Sequence, residues 1–536
     1  MKLNYSMTHL PLLDAASRDR LIGHMKDAGI EKVWIAGFFS GKMIDIEELK
    51  EAKAFAEQHG LEVGAVTIPV GHPGNALNPD DPDFEQLELP KHWHYRIDKS
   101  GSTVYYCGAI DASLIEDNGK AAIRLREAGF KEVFLDDDLR AGNYNSDIEG
   151  CYCNDCVAEF NRIYHRQATR ETLRDAAADK LDTDLMLDWV AFQCDKVTDV
   201  VKATEIDGVR PGIMVMHYGD ERHGIDIPSI RERVPDTIFR VGELHFNDGS
   251  FGNPNGKAQE LMGIVYHLNF LAGAEAYSES TIFPPRSLKE HNLVYKAKLA
   301  ITAGIENVLF MSGTWLLEES YWQALTAARP VLQALDQACS NAVRNYPVHL
   351  AYGTNGAYVE AFVPTTLPVL AGLPVKPVRA DQLSADGEVL LFFGDYRLSA
   401  QWQERLTSYK KVIFDRKAAS RNIDLLGNLQ SSHSHLVFWD MDADSSNVTE
   451  GTVRLRELAS QDAWRFPWIT EGENIGITWM EDSNGGKSIL INLAEVETEG
   501  VLIWADDRYS FRLKPLSFAI IDRSGSFVEY DTEVVM

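Results

Sequence analysis

Eight short, β-rich apolar runs recur through the first 340 residues, with longer stretches of helical spacing between them. The runs are KLNYSMTHL (2–10), KVWIAGFF (32–39), LEVGAVTIPV (61–70), KEVFLDDD (131–138), RPGIMVMHYG (210–219), TIFRVGELHF (237–246), EAYSEST (275–281) and NVLFMSG (307–313). Between them apolar residues fall at i, i+4, i+7, as with Leu185, Trp189 and Phe192, the spacing of one helix face. Eight βα units are what a (β/α)8 TIM barrel requires. A doubly wound sheet is the alternative, and it rarely uses eight repeats. Two insertions, 71–111 and 139–168, follow the third and fourth runs. Both leave from strand C-termini, the face on which barrel loops build a site.

A chain of 536 residues is too long for one ordinary domain. The barrel is expected over 1–344. Beyond it, LAYGTNGAYVEAF, EVLLFFGDY, SYKKVIFD and HLVFWD alternate with helical stretches. This predicts a smaller, Rossmann-like α/β domain over 345–445. After the polar segment DADSSNVTEG, runs such as ENIGITWMED and KSILINLAE alternate with period two. They predict a small antiparallel β-sandwich over 446–536.

The net charge of −28 repels phosphate backbones and anionic lipid surfaces, which argues against nucleic acid and membrane partners. A neutral substrate such as a sugar fits. The N-terminal MKLNYSMTHLPLLDAASRDR has no sustained apolar region, and no run approaches the roughly 20 residues of a membrane helix. A cytoplasmic location is the expectation.

In a barrel, polar residues at strand C-termini are the first place to look for chemistry. Here they are Thr8 and His9; Asp136, Asp137, Asp138 and Arg140; His217 and Tyr218; Glu243, His245 and Asn247; Tyr277 and Glu279; and Ser312, with Trp315 just beyond. LDDDLR ends an apolar run with three carboxylates, which repel unless a cation intervenes. YSEST sets a carboxylate inside a strand-like run, where burial is costly without a partner or a role. Carboxylates on strands four and seven would face each other across the mouth. Glycoside hydrolysis needs such a pair.

Cys151, Cys153 and Cys156 form C-x-C-x2-C. In a reducing compartment such a cluster favours metal over disulfide. Of three possible fourth ligands, Cys107 lies in the preceding insertion, beside strand four on the same barrel face, whereas Cys194 and Cys339 lie in helical stretches and read as buried small hydrophobes. Four thiolates close a zinc shell and leave no position for water, so such a site staples loops.

These residues resemble those of family 42 glycoside hydrolases, the β-galactosidase type of clan A. The order and spacing of Cys107, Cys151, Cys153 and Cys156 look like that family's four-cysteine structural zinc site. The resemblance implies a barrel, an α/β domain and a β domain in that order, and a trimer assembled through the middle domain. It also implies that Glu279 is the nucleophile on strand seven. The family's strand four ends in Asn-Glu. The matching pair here is Asp137-Asp138, with Asp138 on the acid/base position. Asp is one methylene shorter than Glu, so retention and inversion both stay open, and a plain β-galactosidase is disfavoured.

The expectation is therefore an exo-acting glycoside hydrolase for a small oligosaccharide or glycoside. Its catalytic residues would be Glu279, Asp138 and Asp137. Asp136, Arg140, His217, Glu243, His245, Tyr277 and Trp315 would bind the sugar or tune the carboxylates, with Trp93 a further stacking candidate. Structural Zn2+ would sit on Cys107, Cys151, Cys153 and Cys156. The rivals are a non-catalytic carbohydrate-binding protein on the same scaffold and a zinc-dependent hydrolase of another class.

Overall fold

The computed structural model describes the chain apart from residues 72–88, 137–138, 143–147, 180–182, 216–219, 243–244, 272, 352–362, 380–381, 384–385, 395–399, 425–435, 443–447, 461–463, 484 and 532–536. The eight expected runs form β1 (Lys2–Met7), β2 (Ile30–Phe39), β3 (Glu62–Ile68), β4 (Glu132–Leu135), β5 (Arg210–Val215), β6 (Ile238–Val241), β7 (Ala276–Tyr277) and β8 (Asn307–Met311). Each pairs in parallel with the next, and β8 pairs with β1, so the ring is closed. Helices α1 (Arg18–Ala28), α2 (Ile46–Gln58), α3 (Ala112–Glu127), α4 (Asp184–Thr204), α5 (Ile227–Arg233), α6 (Pro254–Leu271), α7 (Glu290–Ala303) and α8 (Glu319–Cys339) follow the strands in turn. This is the (β/α)8 barrel that the repeats predict.

Side chains alternate faces along a strand, so residues two apart share the interior of the ring. That period stacks the interior in storeys. The middle one is aromatic. Trp34 of β2, Phe134 of β4 and Tyr277 of β7 come from strands that are not neighbours, yet their ring centroids lie 4.4–5.5 Å apart. They can meet only inside the barrel, where Val66, Ile238 and Leu309 join them. Two residues earlier along the strands lies an ionic storey. Lys32 pairs with Glu132, and Arg210 reaches Glu132 at 3.3 Å and Glu275 at 2.7 Å. Two residues later come Asp136, Arg240, Glu279 and Met311.

Such large rings fit because β3 and β5 supply glycines beside them. A Cβ on Gly64 would stand 2.4 Å from the Trp34 ring, and one on Gly212 would stand 2.5 Å from Phe134.

The expected seventh run is not one strand. It breaks after Tyr277 and resumes at Ser280–Thr281, which pairs with β8. Glu279 sits in the break, where its carbonyl accepts from Thr281 N at 2.7 Å.

Beyond the barrel, Val375–Val378, Val348–Ala351, Val389–Phe392, Lys411–Phe414 and Leu436–Phe438 form, in that order, a five-stranded parallel sheet. By chain order this is 2-1-3-4-5, one of the doubly wound arrangements. Two antiparallel sheets of five and three strands complete the chain. Val343–Asn345, directly after α8, pairs with Ile475–Asp482 of the larger one. Among the described residues no helix is long and apolar enough to cross a membrane.

Gly212→Ala is expected to cost about 1–3 kcal/mol through overpacking against Phe134 and Ile238. Urea unfolding measures it, and an unchanged midpoint would mean that the aromatic storey is loosely packed.

Candidate active site at the barrel mouth

The storey above the aromatic rings is polar, and one residue organises it. Arg240 points inward from β6, only 1% exposed. Its Nη1 donates to Asp136 Oδ1 at the end of β4. Its Nη2 donates to Glu279 Oε1 at 3.3 Å and Thr281 Oγ1 at 3.1 Å, and contacts Met311 Sδ at 2.8 Å. The three charged groups are all buried. A buried charge is tolerated when paired and hydrogen-bonded, and here one guanidinium faces two carboxylates. The sequence argument overlooked Arg240, which lies within an apolar strand rather than at its C-terminus. The period-two alternation from Ile238 was the signal that could have found it.

Glu279 and Asp136 are thus joined through Arg240. The role the structure gives Asp136 is counter-ion to Arg240. Asp137, Asp138, His217 and Glu243 lie outside the described residues.

Tyr277 is not at the mouth. It is two residues below Glu279, hence one storey lower, and its hydroxyl donates to Glu275 Oε1 at 2.7 Å on the opposite side. Trp93 is core, with its indole N–H donating to Asp117 Oδ2 at 3.0 Å. His245 is buried and turned towards α6, where its Nε2 bonds Gln259 Oε1 at 2.7 Å. Behind it lies the fully buried Glu260–Lys296 pair. Burial, and then Lys296, push the His245 imidazole down to about 4. Trp315 does stand at the rim, 37% exposed, and Phe283, which the sequence argument did not single out, lies 6.3 Å away across an open face.

The loop after β4 is held from several sides. Arg140 Nε donates to Gly142 O at 3.1 Å. Ala141 N donates to His223 O at 2.6 Å, and Glu149 N to Arg222 O at 3.0 Å. The buried Arg96 donates to Ala141 O at 2.6 Å and Glu149 Oε2 at 3.1 Å. Next along the chain, the thiols of Cys151, Cys153 and Cys156 lie within 4.8 Å of one another. Cys153 caps helix Asn154–Tyr164, its Sγ accepting from Cys156 N at 3.4 Å. Bonds from Cys151, then Cys156, hold the Cys153 thiol well below its usual value. Three converging sulfurs, one thiolate-like at a helix N-terminus, suit a soft tetrahedral metal.

Cys107, expected as the fourth ligand, is not among the converging three. It is buried in strand Thr103–Gly108, with its Sγ 3.6 Å from Gly108 O, and belongs to the main barrel core rather than to the core of the cysteine loop. Its hairpin does abut the cluster, since Tyr152 N donates to Ile97 O at 2.8 Å. Cys194 is buried in the core beside the cysteine loop, with its Sγ donating to Glu221 O at 3.6 Å, and Cys339 is buried in the main core.

No protein-family model matches the sequence, and no curated protein does. Solved structures do match along the whole length. The β-galactosidase of Bacillus circulans sp. alkalophilus superposes with a TM-score of 0.65 at 10% identity, over 99% of both chains. A GH42 β-galactosidase from G. stearothermophilus gives 0.60 at 10%, over 98% of both. The chain has the fold of the family 42 β-galactosidases. α-L-Fucosidase isoenzyme 2 from Paenibacillus thiaminolyticus also matches, at 0.62 and 10%, over 97% of this chain and 99% of that one. The family 42 fold therefore extends to an enzyme with a different named sugar, and the likeness at these identities is one of fold.

His245 stays neutral in the folded chain where the unfolded chain takes up a proton near 6.5. Between those values the unfolded state binds more protons, so stability falls as pH falls. The contribution is complete above about 6.5 and lost towards about 4. Wild type should lose up to about 2 kcal/mol from this source between pH 6.5 and 4.5. Denaturant unfolding of His245→Gln at both pH values should show a correspondingly smaller loss.

Proposed function

We propose that this protein is a glycoside hydrolase, a divergent relative of the family 42 β-galactosidases, acting from the chain end on a small oligosaccharide or glycoside in the cytoplasm. The observation that carries this is Glu279. It is a buried carboxylate in the break of β7, ion-paired and in the upper storey of a barrel whose fold is shared with β-galactosidases and a fucosidase. Glu279 serves as nucleophile. Asp138 or Asp137, from the same segment as Asp136, serves as general acid, protonating the leaving oxygen while Glu279 meets the anomeric carbon. If the carboxyls stand about 5–5.5 Å apart the reaction retains configuration, and if about 6.5–9.5 Å apart, with Glu279 then activating water, it inverts. Trp315 and Phe283 offer apolar faces to the sugar ring or its aglycone.

Zinc on Cys151, Cys153 and Cys156 would supply a structural staple. These residues would hold the end of the loop that starts at Asp136. Self-association through residues 345–445 belongs to the same proposal, supported by Phe438, 52% exposed on the edge strand of the parallel sheet.

Glu279→Gln should lower turnover of an aryl glycoside by on the order of a thousandfold or more, with the melting temperature largely kept. Retained activity would remove Glu279 from the mechanism. Cys153→Ser should lower both bound zinc, measured by elemental analysis, and the melting temperature. Loss of metal with no change in melting would argue against a staple.

A further inference from the structure

The upper storey of the barrel holds two described carboxylates and one guanidinium, and the contacts are unequal. Arg240 commits Nη1 to Asp136. It shares Nη2 among Glu279, at 3.3 Å, the Thr281 hydroxyl and the Met311 sulfur. A guanidinium stays charged at any working pH. Asp136, itself placed by its N–H donating to Thr67 O at 2.8 Å, therefore takes the close half of a fixed positive charge. Glu279 receives the remainder, through one named oxygen and at longer range.

We propose that Arg240 is a positioning residue that keeps Glu279 ionised and aimed across the barrel, and that Asp136 sets how much of its charge Glu279 feels. This rests on the reading of Glu279 as the catalytic carboxylate and holds whether that carboxylate attacks carbon or activates water. A reactive carboxylate must be charged in a buried site, yet not quenched by a tight bidentate partner. A neighbouring cation secures the first condition. Diverting most of that cation to Asp136 secures the second. The storeys below reinforce the effect. The aromatic layer of Trp34, Phe134 and Tyr277 separates this storey from Lys32 and Arg210 below, and Arg240 contacts both carboxylates directly.

The idea makes two predictions of opposite sign. In Arg240→Gln, Glu279 loses the Arg240 charge while Asp136 stays beside it, so the acidic limb of kcat/KM should move up by about one pH unit or more. In Asp136→Asn, a nearly isosteric change, more of the Arg240 charge falls on Glu279, and the limb should move down. A residue that merely props up the fold would lower activity without this pair of opposed shifts.

Both profiles are measured on the full chain beside wild type and Glu279→Gln. Opposed shifts support the proposal; limbs within about 0.2 unit of wild type in the folded variants overturn it. If Arg240→Gln does not fold, Asp136→Asn decides alone. If Glu279→Gln keeps wild-type turnover, the assignment of Glu279 has failed instead, and the two failures are distinct. If a glycoside panel gives no turnover, the titration of Glu279 is followed by the pH dependence of the difference in unfolding free energy between each background and its Glu279→Gln derivative. The same opposed displacements are then expected, and their absence overturns the proposal.

Discussion

A guanidinium sealed inside a barrel must be answered by carboxylates, and the carboxylates in turn must have that guanidinium. Arg240, Asp136 and Glu279 satisfy this demand across three strands, β6, β4 and the break of β7. Removing Arg240 would leave two buried carboxylates without its charge, which is far costlier than the net value of the group. The register of the upper barrel is therefore tied to the chemistry of its mouth. The hydrophobic storey beneath depends on the same arrangement. Trp34, Phe134 and Tyr277 pack edge to face or tilted and seal the ring between two polar layers, each of which is internally paired.

The barrel was legible because its signal is periodic and repeated eight times. Glu279 was legible because a carboxylate in a strand-like run is expensive. Arg240 was missed and Tyr277 misplaced for one shared reason. Looking only at strand ends treats a barrel as a rim, whereas its interior is layered with a period of two. Counting down from Glu279 puts Tyr277 in the next storey, among rings, and counting up from Ile238 puts Arg240 in the storey of the carboxylates. Phe134 and Asp136 obey the same count. The cysteine triplet was legible because its three thiols lie within six residues at a helix start. The position of Cys107 was not, since it depends on how a separate hairpin packs, and no local spacing encodes that.

The loop after β4 draws on distant parts of the chain. Its backbone is bonded to Arg222 and His223, in the short helical turn Asp220–His223 that follows β5. The preceding Glu221 forms a buried ion pair with Arg379, just past a strand of the middle sheet. Burial pushes the Glu221 carboxyl up, against the pull of Arg379, so this joint is held at an electrostatic cost. On the other side, Gln193 of α4 accepts from Cys151 N at 3.4 Å, and Arg96 grips Ala141 and Glu149.

The middle sheet is therefore more than an appendage. Through Arg379 and Glu221 it braces the turn that carries the carbonyls of Arg222 and His223, and those carbonyls fix the loop that begins at Asp136. These polar ties add to the apolar anchors of the loop, Leu139 in the barrel core and Ile148 and Tyr152 in the core beside the cysteines. The cysteine cluster closes the same loop at its far end. The loop is thus anchored at Asp136 by the Arg240 storey, at Ala141 and Glu149 by the β5 turn and Arg96, and at its end by the bond from Cys151 to Gln193.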